Sequence, residues 1–317
     1  MGVLGVWAWK FKPDGLLHHK LFQHRNLIIA AIAVFIEGMA FMASAYYFPY
    51  AVSVVHGNTM NSFEVSLCYM IAFPTFIVAA LTAALFIYKT RTVRLAGIFT
   101  FASFLAFFIT MSTITPETPA ANFWGYIVFY GTGLGVCLVT FVTAAQFATP
   151  PELISTTSGF VLTVRSLGGS IGLAIFNALF YHGLDSDLVP NVVAAIKPVT
   201  LSEQQLETLL GGLMAGNKTL IASVPGLTPT AIEAAGLGVV KAYITGFHDV
   251  FICGAALSAV GIIAAFFLID PKSEFTHKID APIDVVQYAD TEKSIAGEDQ
   301  SDCSVTHVDH GRSKMGA

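Results

Sequence analysis

Six stretches of this chain are each apolar for about twenty residues, and that leaves few folds open. They cover residues 27–50, 66–88, 95–113, 124–147, 158–181 and 250–269. A helix of about twenty residues, rising about 1.5 Å per residue, crosses the hydrocarbon core of a bilayer. Inside that core each backbone N–H and C=O must be satisfied by protein, which only helices and closed barrels achieve. The runs are continuously apolar instead of alternating, and this selects helices. The expected fold is an all-α polytopic membrane protein with six transmembrane helices. Its composition agrees, because only 12% of residues are charged where a soluble domain carries about 25%.

The formal charge of −5 is weighted toward the polar C-terminal tail, and no basic cluster of the kind that binds nucleic acid is present. Cys68, Cys137, Cys253 and Cys303 show no C-x-x-C spacing and read as free thiols, not as a disulfide framework or zinc site. The opening "MGVLGVWAWKFK" has no basic residue ahead of its short apolar stretch, unlike a signal peptide. Val6 stands where a myristoylation signal needs Ser or Thr. This opening reads as the last turns of a span whose beginning is absent.

Basic residues orient the spans. Lys10, Lys12, Lys20 and Arg25 precede the first run, and Lys89, Arg91 and Arg94 separate the second from the third. The turns after the first and third runs carry no Lys or Arg. Both termini are therefore expected on the cytoplasmic side. The expected organisation is a cytoplasmic segment over 1–26, five transmembrane helices over 27–181 and an extracellular or lumenal connection over 182–249. The sixth helix then covers 250–269 and a disordered cytoplasmic tail 270–317. Within the connection, Thr200–Glu203 ("TLSE") and Thr230–Glu233 ("TAIE") have the capping-box pattern that opens amphipathic helices. Asn217-Lys218-Thr219 is a candidate N-glycosylation sequon.

An ionisable group deep in a span is costly, about 2.5–3.5 kcal/mol at mid-helix on insertion scales, and marks a pathway or a pair by default. Glu37 and Arg165 are the two such groups set well inside runs. Counted from the run ends, Glu37 lies about 15 Å deep and Arg165 about 10 Å, a difference that an extended arginine spans. Two readings stay open. The pair faces the bundle interior and joins or shares a polar pathway, or Arg165 snorkels to the headgroups while Glu37 is protonated.

Gly168 and Gly172, and Gly131 and Gly135, have the four-residue spacing that lets membrane helices approach closely. Ser166 and Ser170 repeat it on an adjacent stripe. Close packing is the first reading of these glycines, with Gly169 among them, and a hinge is the second. Gln146 and Asn177, near run ends, are candidates for substrate contact or for hydrogen bonds to a neighbouring helix. Tyr46 and Tyr47 read as interfacial anchors. His18, His19 and His24, and His307 and His310, lack the fixed surroundings of a metal site. No catalytic constellation appears at a shared depth, so neither an enzyme nor a cofactor is expected.

The string "PPELISTTSGFVLTVRSLGGSIGLAIFNALF" resembles the penultimate span and preceding loop of fungal major facilitator transporters. The likeness is to the trichothecene efflux pumps and their siderophore-transporter relatives, of the fourteen-span drug:proton antiporter type. "FKPDGLLHHKLFQHRN", "YITGFHDVF" and "DPKSEFTHKID" support it. The resemblance implies proton-driven export of a hydrophobic toxin, drug or iron chelate across the plasma or vacuolar membrane. It also implies that the chain corresponds to the C-terminal six spans, since the antiporter motif and basic loop of the N-terminal half have no counterpart here. The partners implied are the lipid bilayer, protons, a hydrophobic small molecule, and a second half or a second copy of this chain. The alternatives are a fragment without transport activity, and, from another class, a membrane-embedded enzyme or scaffold.

Overall fold

The structure, a computed structural model, describes residues 25–57, 59–149, 153–197, 202–216, 218–224 and 228–270. Asn217, Cys303 and the histidines near both termini lie outside them. The described helices are α1 (Arg25–His56), α2 (Ser62–Met70), α3 (Ala72–Thr90), α4 (Arg94–Ser112), α5 (Ala120–Phe147), α6 (Ile154–Ala195), α7 (Glu203–Ala215), α8 (Lys218–Ala222) and α9 (Pro229–Phe266). Six segments are long and apolar enough to cross a membrane, with α2 and α3 together forming one of them.

Local chemistry sets the helix ends. The second run is interrupted at Ile71, which ends α2 and caps α3. Pro74 explains the break, because it has no N–H for the carbonyl of Met70 and is tolerated only in a first turn, where that N–H would be unpaired anyway. α3 ends at Arg91, whose φ of 52° is left-handed and whose N–H closes the helix on Ile87. α6 runs fourteen residues past the apolar run to Ala195, and α9 starts well before it at Pro229. These extensions pack with α7 and α8 around Val192, Ile196, Leu209, Val224, Ala235 and Val239, so much of the expected connection is helical with a core of its own. Its caps fall two residues from the expected places. Ser202 pairs with Gln205 to cap α7, and Thr228 accepts from Ala231 N–H to cap α9.

α1 sits centrally, against α5, α6 and α9, while α3 rests on α5 and α4 bridges α5 and α9. Glycine decides how near these axes come. On α9, Gly254 and Gly261 leave room for the rings of Phe108 and Phe101 from α4, a spacing of seven that keeps both on one face. Phe101, Phe104, Phe107 and Phe108 are all fully buried.

The end of the bundle that carries Lys89, Arg91 and Arg94 is tied by polar bonds. The Asp270 carboxylate accepts the N–H groups of Val93 (2.8 Å) and Arg94 (3.0 Å), capping α4 from a distant part of the chain. Asn26 exchanges two hydrogen bonds with the backbone of Ile269, at 2.8 and 3.0 Å. Arg25 donates to the Phe267 carbonyl at 3.1 Å. The start of α1, the start of α4 and the end of α9 are thereby held together.

Candidate functional site

α1 and α6 cross where both lack side-chain bulk. A Cβ on Gly38 would run into the backbone carbonyl of Arg165, and one on Gly168 into that of Phe35. Gly169 lies against the Met42 side chain of α1, and Gly172 against the Cα and side chain of Met39. The glycines expected to pack do so here, and Gly38, which the four-residue spacing did not single out, completes the contact from the other side. The exposed Ser166 and Ser170 instead turn their hydroxyls onto the carbonyls of Leu162 and Ser166, each at 3.0 Å. They form part of an open face, not a packing stripe.

This close approach places Arg165 against Glu37. Arg165 Nε donates to Glu37 Oε2 at 2.6 Å and Nη2 donates to Oε1 at 2.8 Å. The two parallel bonds are the geometry in which guanidinium and carboxylate bind most strongly. Glu37 is completely buried while the Arg165 side chain keeps 24% exposure, so one end of the pair reaches the outside of the bundle. The guanidinium also lies 4.8 Å from the centre of the Phe41 ring, a cation–π contact. α6 begins four residues before the apolar run, at Ile154. Measured from the helix starts at Arg25 and Ile154, the two residues are therefore about equally deep.

An interior pair of this kind is held by its partner more than by burial. Removing both ions from water costs several kcal/mol each, and the bidentate contact offsets this only while both members are present. The snorkelling reading of Arg165 does not describe the structure.

The other two polar candidates are bonded elsewhere along α6. Gln146 Nε2 donates to Ser158 Oγ at 3.1 Å, seven residues before Arg165. Asn177 Oδ1 accepts from Tyr47 Oη at 2.6 Å, twelve residues after it. Each joins two helices, and neither touches the ion pair. Tyr47 is thus a buried interhelical donor, only 4% exposed, whereas Tyr46 is exposed. Successive helix residues point about 100° apart, so Tyr46 and Tyr47 do not share one face.

Gly131 and Gly135 of α5 face the backbone of α3 at Ala72 and Phe76. Their contact contains no ion pair. Among the described residues no group of three or more His, Cys, Asp or Glu could hold a metal ion. Cys68 and Cys137 are buried free thiols and Cys253 is partly exposed.

Comparison with known proteins finds a family and relatives that include the following three. The family model described as Major Facilitator Superfamily matches residues 7–173, more than half of the chain. An MFS-type transporter of Mycobacterium tuberculosis is 21% identical over 263 residues, covering 83% of this chain and 35% of its own length. Efflux pump patC of Aspergillus clavatus is 23% identical over 257 residues, covering 81% and 44%. A dehydrocurvularin exporter of Alternaria cinerariae is 25% identical over 225 residues, covering 69% and 34%. The chain spans between a third and a half of the length of these relatives.

Proposed function

The chain belongs to the Major Facilitator Superfamily, and from that premise we propose that it forms one wall of a proton-coupled exporter of a hydrophobic small molecule. The relatives named as an efflux pump and an exporter support the direction of transport. The resemblance of the stretch around "TVRSLGG" to trichothecene and siderophore carriers supports a substrate of that kind, and the basic loops support a topology in the plasma or vacuolar membrane with both termini on the cytoplasmic side. The six spans correspond to the C-terminal half of the fold, and a second half or a second copy supplies the facing wall.

The observation that carries this reading is the Glu37–Arg165 pair. It is buried at mid-span in a helix contact built from glycine, and its arginine reaches the surface of α6. A carboxylate that gains or loses a proton in such a place changes the charge balance of the contact and hence the preferred spacing of α1 and α6. Asn177 and the exposed residues Thr163, Ser166 and Ser170 lie on the same helix as Arg165, and Gln146 of α5 bonds to that helix at Ser158. The test is pH-driven flux of a hydrophobic dye in proteoliposomes, using this chain alone and together with a complementary half. Glu37→Gln and Arg165→Met are expected to abolish the pH-driven component in whichever preparation is active. Intact pH-driven flux in both variants overturns the reading.

A further inference from the structure

α3 and α4 are neighbours in the chain, joined by residues 91–93 alone, yet they scarcely touch. α5 keeps them apart. Its Gly135 seats α3 at Phe76 and Ala80, and its Gly133 seats α4 at Thr100 and Phe104. Two residues along a helix point about 200° apart, so α3 and α4 rest on opposite sides of α5. Between them lies a cavity of about 460 Å³, the size of a small-molecule site. Its floor is small and buried, made by Ala83, Ala96 and Val136, and its walls are the exposed side chains of Phe86, Leu95 and Phe99. Thr82 also lines it, but its hydroxyl donates to the Ala79 carbonyl at 2.9 Å. The groove therefore presents a mainly apolar surface.

One end of the groove is basic. Phe86 and Leu95 flank the turn "KTRTVR" (Lys89 to Arg94), which holds three cations and no acid. Lys89 follows Phe86 by three residues and Thr82 by seven, which puts it on the stripe of α3 that lines the groove. Lys89 and Arg91 are exposed, and within the described residues neither makes an ion pair. Arg94 is engaged over the Phe266 ring, 4.0 Å from its centre. Asp270, the acid bonded at this turn, accepts the N–H groups of Val93 and Arg94. Arg91 carries a second sign. Its φ of 52° is the left-handed conformation that glycine ordinarily takes at helix ends. Backbone strain of this kind collects at ligand-binding positions.

We propose that the α3–α4 groove binds one acyl chain of an anionic phospholipid whose phosphate is held by Lys89 and Arg91. The apolar floor receives the chain, and the two cations give charge-assisted hydrogen bonds to phosphate oxygens. Basic pockets between membrane helices are recognition sites for anionic headgroups. From Lys89 to Thr82 the groove runs about 10 Å, roughly two-thirds of the hydrocarbon depth of one leaflet. That leaflet is the cytoplasmic one under the topology proposed above. The site is separate from the Glu37–Arg165 contact and stands without any transport activity.

The experiment is fluorescence quenching of the whole chain in phosphatidylcholine vesicles containing a minor share of lipid brominated in the upper acyl chain. The brominated lipid is either phosphatidylglycerol or phosphatidylcholine with the same chains. Phe86→Trp reports from the groove. Tyr88→Trp, 69% exposed at the native tyrosine and turned about 200° from Phe86, reports from the surrounding lipid. The native tryptophans contribute equally to both variants. Phe86→Trp is expected to be quenched about threefold more by phosphatidylglycerol than by phosphatidylcholine, and Tyr88→Trp about equally by the two. Lys89→Gln/Arg91→Gly, added to Phe86→Trp, is expected to remove that preference without lowering the thermal midpoint, because glycine relieves the left-handed residue. Equal quenching of Phe86→Trp by the two lipids means surrounding lipid only and overturns the proposal, whether or not the charge variant folds. A preference just as strong in Tyr88→Trp, or one that survives loss of both cations, overturns it too.

Discussion

Two helix contacts in this bundle are built from the same material and do different things. α6 meets α1 through Gly168, Gly169 and Gly172, and α5 meets α3 through Gly131 and Gly135. In both, glycine brings one backbone onto the other, and dispersion between the close surfaces holds them, since lipid provides no hydrophobic drive for helix association. The α3–α5 contact stops there. The α1–α6 contact encloses a bidentate ion pair. Close packing thus needs no charge in this fold, and the charge at α1–α6 is an addition whose upkeep requires both partners.

The largest expected effect breaks that addition. Arg165→Met leaves the Glu37 carboxylate buried and unpaired, with an expected loss of about 3–5 kcal/mol, read as a lowered thermal midpoint in detergent. The double variant Glu37→Leu/Arg165→Met is expected to recover most of that stability and still lack pH-driven flux. A double variant as unstable as the single one would mean that the pair itself holds the contact.

Next in size is overpacking. Gly168→Ala and Gly135→Ala each push a methyl group against a facing backbone carbonyl, with an expected loss of about 1–3 kcal/mol. The two should match in thermal stability and differ in flux, because only Gly168 lies beside the ion pair. Equal loss of flux would erase the distinction between the contacts.

Tyr47→Phe removes the 2.6 Å bond to Asn177 and should cost about 0.6 kcal/mol, the average for interhelical hydrogen bonds in membranes. The same thermal measurement checks it. Smallest of all is Gly159→Ala, where an added Cβ meets nothing within 4 Å. It should be neutral or stabilising by at most about 0.5 kcal/mol, and a large loss there would show that glycine on α6 serves flexibility instead of packing.

The candidate site was legible in part. Glu37 and Arg165 stood out because each interrupts an apolar run, and roughly equal depth made their meeting one of two readings. What decided it was Gly38, whose missing side chain admits the α6 backbone. Nothing local marks that glycine, since its role depends on what crosses it. The bond between Tyr47 and Asn177 and the capping of α4 by Asp270 were unreadable for the same reason. Each joins residues more than a hundred positions apart. Gln146 and Asn177 were found as polar residues near span ends, but their partners were not.

By itself the sequence determined that the chain is a set of six membrane-length helices, because apolar length and the backbone's demand for hydrogen bonds act within each segment. The tertiary structure alone decided which helices touch, where α1 and α6 cross, and that one acid and one base share a buried contact. Those outcomes depend on shape complementarity between distant segments, which no local pattern along the chain contains.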